Sequence, residues 1–142
     1  MSSLRPGATP LAIEPLGDGY VPGVCNIGPW EVRRRWAAGI VGLAAAALLL
    51  AVLVALRAPA AARALVLLPA WGGVFSVLQA RRRFCGAYAI RRRSNFGAGP
   101  ATVRRVDDGA AHTADLAALA RMLRDAFLVA LVLTLLAVAA PV

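Results

Sequence analysis

Two cysteines, Cys25 and Cys85, and one histidine, His112, are the only thiol or imidazole groups in this chain of 142 residues. A thiol pair can act as a redox couple, or as two ligands of a metal site. With His112 the set reaches three ligands, but their spacing matches no zinc finger. The cysteines are not in a CxxC arrangement, and cytoplasmic thiols without that spacing ordinarily act as small apolar side chains. Arginines beside Cys85 supply the positive surroundings that reactive thiols use, so Cys25 and Cys85 stand as the candidates for a thiol or metal role. Haem and pigment carriers in membranes use an intramembrane histidine. His112 lies in a polar segment instead, so no cofactor and no catalytic residue is expected.

The other groups capable of chemistry are guanidiniums. All 16 basic residues are arginine, against 7 acidic residues. Three triplets stand out: Arg33, Arg34, Arg35; Arg81, Arg82, Arg83; and Arg91, Arg92, Arg93. Each such charge near an anionic leaflet adds about 1 kcal/mol of attraction, so topology and lipid-headgroup contact are their expected roles. Nucleic-acid binding is not expected, because no interleaved aromatics or recognition motif accompany the charge. The absence of lysine fits a GC-rich genome and carries no chemical message.

These groups are positioned by unusually apolar elements. Hydrophobic residues make up 60% of the chain and charged residues only 16%, against about a quarter charged in soluble domains. That composition excludes a conventional soluble globule and a disordered chain. The apolar residues form three blocks, Ala37 to Leu56, Ala64 to Ala80 and Ala126 to Val142. About 20 apolar residues match the roughly 30 Å hydrocarbon layer, and the two shorter blocks borrow length from their ends. Arg63 and Gln79 are expected to snorkel to the interface. The fold class is therefore an all-α integral membrane protein with three transmembrane helices. Arg33 to Arg35, the first block and Ala58-Pro59-Ala60 together also look like a signal peptide, but the apolar run exceeds the usual 7–15 residues.

Orientation follows from arginine placement. Fourteen arginines lie before the first block or between the second and third, and only Arg57 and Arg63 lie between the first and second. The positive-inside rule then places the N-terminus in the cytoplasm of a bacterial inner membrane and the C-terminus outside. Blocks one and two form an antiparallel hairpin, turned at Pro59. Four regions result: an extended Pro/Gly-rich tail (1–29), the two-span hairpin (30–97), a polar loop (98–112), and an amphipathic lead-in with the third span (113–142). Pro29 suits the first turn of a helix, and Thr113 suits the cap of the lead-in. Leu116, Leu119 and Leu123 recur on one face, which either lies on the membrane surface or continues into the third span.

No ionisable residue falls inside the three apolar cores, which argues against a pump or transporter acting alone. The spans instead carry small-residue stripes that allow close helix approach: Ala38 with Gly42, Gly72 with Ser76, and Ala126 with Ala130 and Thr134. Pro69, Gly72 and Gly73 predict a kink in the second span.

Asn26-Ile27-Gly28, the arginines after it, Gly39, and the run Phe84-Cys85-Gly86-Ala87-Tyr88 resemble a small bacterial membrane hairpin. That domain occurs alone and as the transmembrane part of YgaP-like rhodanese proteins. The resemblance spans residues 25–97, and Gly86 stands where the family's Cys-Pro-x-Tyr ending has proline. The rhodanese domain is absent, so sulfurtransferase activity is not implied. Two functions are expected from these observations. The first is a non-catalytic accessory subunit, bound to anionic lipid headgroups and docked on other membrane protein subunits through the third span. The alternative is a stand-alone inner-membrane protein with thiol, sulfur-related or metal chemistry at Cys25 and Cys85.

Overall fold

A computed structural model of the chain describes residues 19–141; most of the predicted tail, residues 1–18, lies outside them. The described residues are mostly helical, with three helical stretches long and apolar enough to cross a membrane. Helix α1 (Pro29–Ala55) starts behind Gly28 with proline in its first turn, where the missing N–H has no partner to lose. It ends at Leu56, and the chain then turns through a 3₁₀ segment, Ala60–Val66, into α2 (Leu67–Arg81). A short α3 (Gly86–Ile90) leads to a two-residue ladder, in which β1 (Arg93–Ser94) runs antiparallel to β2 (Arg104–Arg105). Among the described residues, this ladder and two isolated bridges, Val21 with Cys25 and Ile27 with Asn95, are the strand-like pairings in an otherwise helical fold. Helix α4 (Gly109–Ala139) closes the fold.

Several boundaries differ from expectation for identifiable reasons. The predicted kink at Pro69 is absent as a break, because the α-helical ladder begins only at Leu67. Pro69 thus sits in a first turn that tolerates it, and the irregularity falls earlier, in the 3₁₀ segment. The polar loop ends sooner than residue 112. Asp108, not Thr113, caps α4 by accepting a hydrogen bond from the Ala110 N–H at 3.0 Å. The lead-in then runs without interruption into the third span, as one helix of 31 residues.

α1 and α2 cross where side chains are missing on both. A Cβ at Gly73 would lie 2.7 Å from the backbone nitrogen of Leu43, and one at Gly42 would lie 2.8 Å from the Cα of Gly73. Gly39 packs against Val77 in the same seam. The contact therefore runs through Gly39, Gly42 and Gly73. Ala38 and Gly72, expected in it, face outward, and a Cβ on Gly72 would meet nothing within 4 Å. Gly42 lies in the seam as expected, whereas Gly39 and Gly73 take the places expected of Ala38 and Gly72. Ser76 is half-buried.

Against this pair lies α4. Ala126, Ala130 and Thr134 are buried, and Ala130 packs with Ala46, Val66 and Ala70. The Thr134 hydroxyl donates to the Ala130 carbonyl at 2.8 Å, which satisfies it within its own helix. Trp71 meets Phe127 edge-on at 5.4 Å between ring centroids. The stripe expected to meet a partner is thus turned inward on the hairpin. Arg63 is a second correction. It does not snorkel: it is 6% exposed and its Nη1 donates to the Ala140 carbonyl at 2.9 Å, so it caps the last turn of α4, where a cation also suits the helix dipole.

Candidate functional site

The polar groups gather at the end of the bundle that holds the start of α1, the end of α2 and the first half of α4. Here residues 19–28 are not an extended tail but a fitted strap. Val21 and Cys25 close a tight turn, and Tyr20, Asn26 and Ile27 are buried. Asp115 on α4 holds the turn, accepting from the Tyr20 hydroxyl at 2.8 Å and from the Gly23 N–H at 2.7 Å. Burial, then the hydrogen bond to Asp115, push the Tyr20 phenol well above its usual range. It therefore remains a donor at any ordinary pH.

Next along the strap, Asn26 clamps Cys85, the residue just before α3. Its Oδ1 accepts from the Cys85 N–H at 2.6 Å, and its Nδ2 donates to the Cys85 carbonyl at 3.0 Å. The strap backbone continues the clamp: the Asn26 and Ile27 N–H groups donate to the Arg83 carbonyl, and the Gly28 N–H donates to the Asn95 carbonyl at 2.7 Å. Gln79 adds a bond from the Gly86 N–H at 3.0 Å. Every side-chain amide here replaces a backbone pairing that a loop of this shape would otherwise lack.

Glu31 is the charged centre. It is 1% exposed, which would be costly for a carboxylate left alone. Its Oε1 accepts from the Tyr88 hydroxyl at 2.7 Å and from Asn95 Nδ2 at 3.3 Å. Arg34 and Arg35, one turn along α1, stand 3.6 Å from its two oxygens. Burial and the bond to Glu31 raise the Tyr88 phenol above its ordinary value, so it too stays a donor. Arg35 also donates to Cys85 Sγ at 2.9 Å. Glu31 Oε2 and Arg35 Nε are buried without a hydrogen-bond partner. Beneath this network, Phe84 and Ala89 pack on Ala118, Leu119 and Met122 of α4. Leu119 is buried, whereas Leu116 and Leu123 are exposed, so the three leucines do not share one covered face.

The two candidate cysteines are free thiols in different settings. Cys85 is fully buried under Asn26 and Arg35. Cys25 is half-buried, and its thiol points to the Gly19 carbonyl at 3.2 Å. Among the described residues, no three His, Cys, Asp or Glu side chains are gathered as a metal-holding set. No family model, curated protein or solved structure matches the chain.

The arginines divide by role. Arg35 belongs to the buried network. Arg34 covers the Trp30 ring at 4.8 Å, and Arg33 is exposed on α1. Arg81, Arg82 and Arg83 are exposed at the end of α2, where Arg82 pairs with Asp125 at 2.9 Å. Arg91, Arg92 and Arg93 are exposed after α3. There they meet Arg104 and Arg105, which the sequence had not singled out, across the β1–β2 ladder. Glu31 and Asn95 were likewise missed. The Glu31–Arg35 pair was legible as an i, i+4 ion pair; the part played by Asn95, 64 residues from Glu31, was not.

Proposed function

We propose that the chain is a non-catalytic accessory subunit of the bacterial inner membrane, carrying an ordered cytoplasmic cap and docking on a larger membrane assembly through the outer face of α1. The carrying observation is the uneven use of small residues. Those on α4 and in the α1–α2 seam are consumed inside the molecule, whereas α1 has only Glu31, Gly39 and Ala46 buried in its 27 residues. Ala38, Ala45 and Val52 form one exposed stripe at a seven-residue repeat, flanked by exposed Val41 and Leu48. Within lipid, helices associate by close packing, and short side chains on the outer face permit it. The buried polar groups of the cap hold its own loops in place, which suits a fixed structural part. The YgaP-like resemblance supports the hairpin in the same way. Its residues Asn26, Ile27, Gly28, Gly39, Cys85 and Gly86 are the ones that clamp the strap or allow close packing.

The test is gentle solubilisation followed by native mass measurement. A second polypeptide at fixed stoichiometry is expected with the parent chain, and its loss is expected in an Ala38→Phe, Ala45→Phe variant that still inserts. A lone chain or a homo-oligomer in the parent would end this reading. The N-in orientation rests on the 14-to-2 arginine bias. Reporters fused at Gly99 should read cytoplasmic and those at Ala60 extracytoplasmic; inverted signals at both sites would refute it.

A further inference from the structure

Five arginines line one groove. Arg91, Arg92, Arg93, Arg104 and Arg105, with Val103, line a cavity of about 440 Å³, within the range of small-molecule sites, about 300–1,000 Å³. The ladder places Arg93 directly opposite Arg105, a like-charge pairing that works against a sheet. Asp107 pairs with Arg105 at 2.7 Å, and Asp107 and Asp108 line the neighbouring cavity. Arg91, Arg92 and Arg93 make no ion pair with a described residue, which leaves the groove a positive excess.

The convergence is built rather than incidental. A two-residue ladder does not hold itself, and here it is pinned from outside. The Val106 N–H donates to the Arg92 carbonyl at 2.8 Å, and Asn95 is tied to Asn26 and Gly28 through the backbone. Val106 packs with Tyr20 and Ala111 on α4. Arg92 itself is held at φ +53°, a left-handed conformation that disfavours any residue with a side chain. Like-charge crowding is retained at the place where five arginines meet.

We propose that this groove is a binding site for a phosphate-bearing anion. Planar, always-charged guanidiniums match phosphate oxygens in pairs, and a bound anion would relieve the Arg93–Arg105 repulsion. Phosphate could come from a lipid headgroup or from a soluble phosphoanion, and the test below separates the two sources. The site does not depend on the docking reading, because its ligand is a phosphate group rather than a partner subunit.

Inorganic pyrophosphate is the probe, titrated calorimetrically into the full chain in phosphatidylcholine nanodiscs. Saturable binding at one per chain is expected, weakened at least about tenfold in an Arg93→Gln, Arg105→Gln variant. An Arg33→Gln, Arg121→Gln variant removes the same charge from exposed positions outside the groove and should bind like the parent. Circular dichroism on each variant verifies that the helices are retained. No saturable binding by the parent, or equal weakening in both variants, overturns the proposal. Discs containing phosphatidylglycerol assign the source: competition with pyrophosphate shows that headgroups fill the groove, and unchanged affinity shows a soluble ligand.

Discussion

Replacing Gly73 with leucine should split the α1–α2 hairpin, while the same change at its neighbour Gly72 should be harmless. At Gly73 even the first added carbon would lie 2.7 Å from the Leu43 nitrogen and 3.0 Å from the Gly42 carbonyl carbon. These are backbone atoms of a regular helix, so no rotamer change can move them aside. The helices must part, and parting them also loosens Ala46, Ala70 and Ala130, which pack together farther along. The expected loss is about 3 kcal/mol, seen as a lowering of the thermal midpoint by about 5–10 °C in detergent. At Gly72 the added side chain enters open space, and leucine is the better helix former by up to about 1 kcal/mol. The two neighbours should therefore change stability in opposite directions. Equal midpoints for both variants would mean that the seam is not where the glycines place it.

That pair of residues also shows what the sequence could and could not reveal. Three apolar blocks and the hairpin between the first two are legible, because span length and charge fences do not depend on tertiary contacts. Which small residue faces the neighbour is another matter. Ala38 and Gly72 differ from Gly39 and Gly73 by one position, about 100° of helix rotation, and in an alanine-rich helix no apolar pattern fixes that rotation. The same ambiguity assigned the Ala126, Ala130, Thr134 stripe to a partner subunit, although its contact is internal. Helix ends were hidden for a related reason. α1, α2 and α3 are each followed by an arginine with positive φ, at Arg57, Arg83 and Arg92, where glycine or asparagine is the usual signal.

The cap was the least legible part. Its stability comes from Asn26 with Cys85, Glu31 with Tyr88 and Asn95, and Tyr20 with Asp115, pairs separated by 57 to 95 residues. Single amides and acids in a polar stretch carry no periodicity, so nothing local distinguishes a clamp from a solvated side chain. The presence of chemistry-bearing residues was visible, but their use was not. Cys85 drew notice as a thiol, whereas the backbone of that residue is what the fold engages through Asn26.

Asn26→Ala should therefore expose Cys85 without touching it. Asn26 is fully buried and makes two opposed bonds to one residue, so its removal leaves the Cys85 N–H unpaired in a dry environment and the Cys85 carbonyl with only its bond from the Ala89 N–H. Burying that donor unpaired costs about 1–3 kcal/mol. The strap can avoid that cost only by lifting and admitting water. Lifting it also breaks the bonds from Asn26 and Ile27 to Arg83 and frees the Tyr20 side chain from Asp115. The readout is maleimide labelling of Cys85 in a Cys25→Ser background, with the spans still inserted. Labelling through local opening scales with the opening equilibrium, so about 2 kcal/mol gives about thirtyfold faster modification. Val24→Ala, at an exposed strap position, should label at the parent rate. If Asn26→Ala also labels at the parent rate, Cys85 is sheltered by the packing of Phe84 and Leu119 alone, and the strap is not what closes the cap.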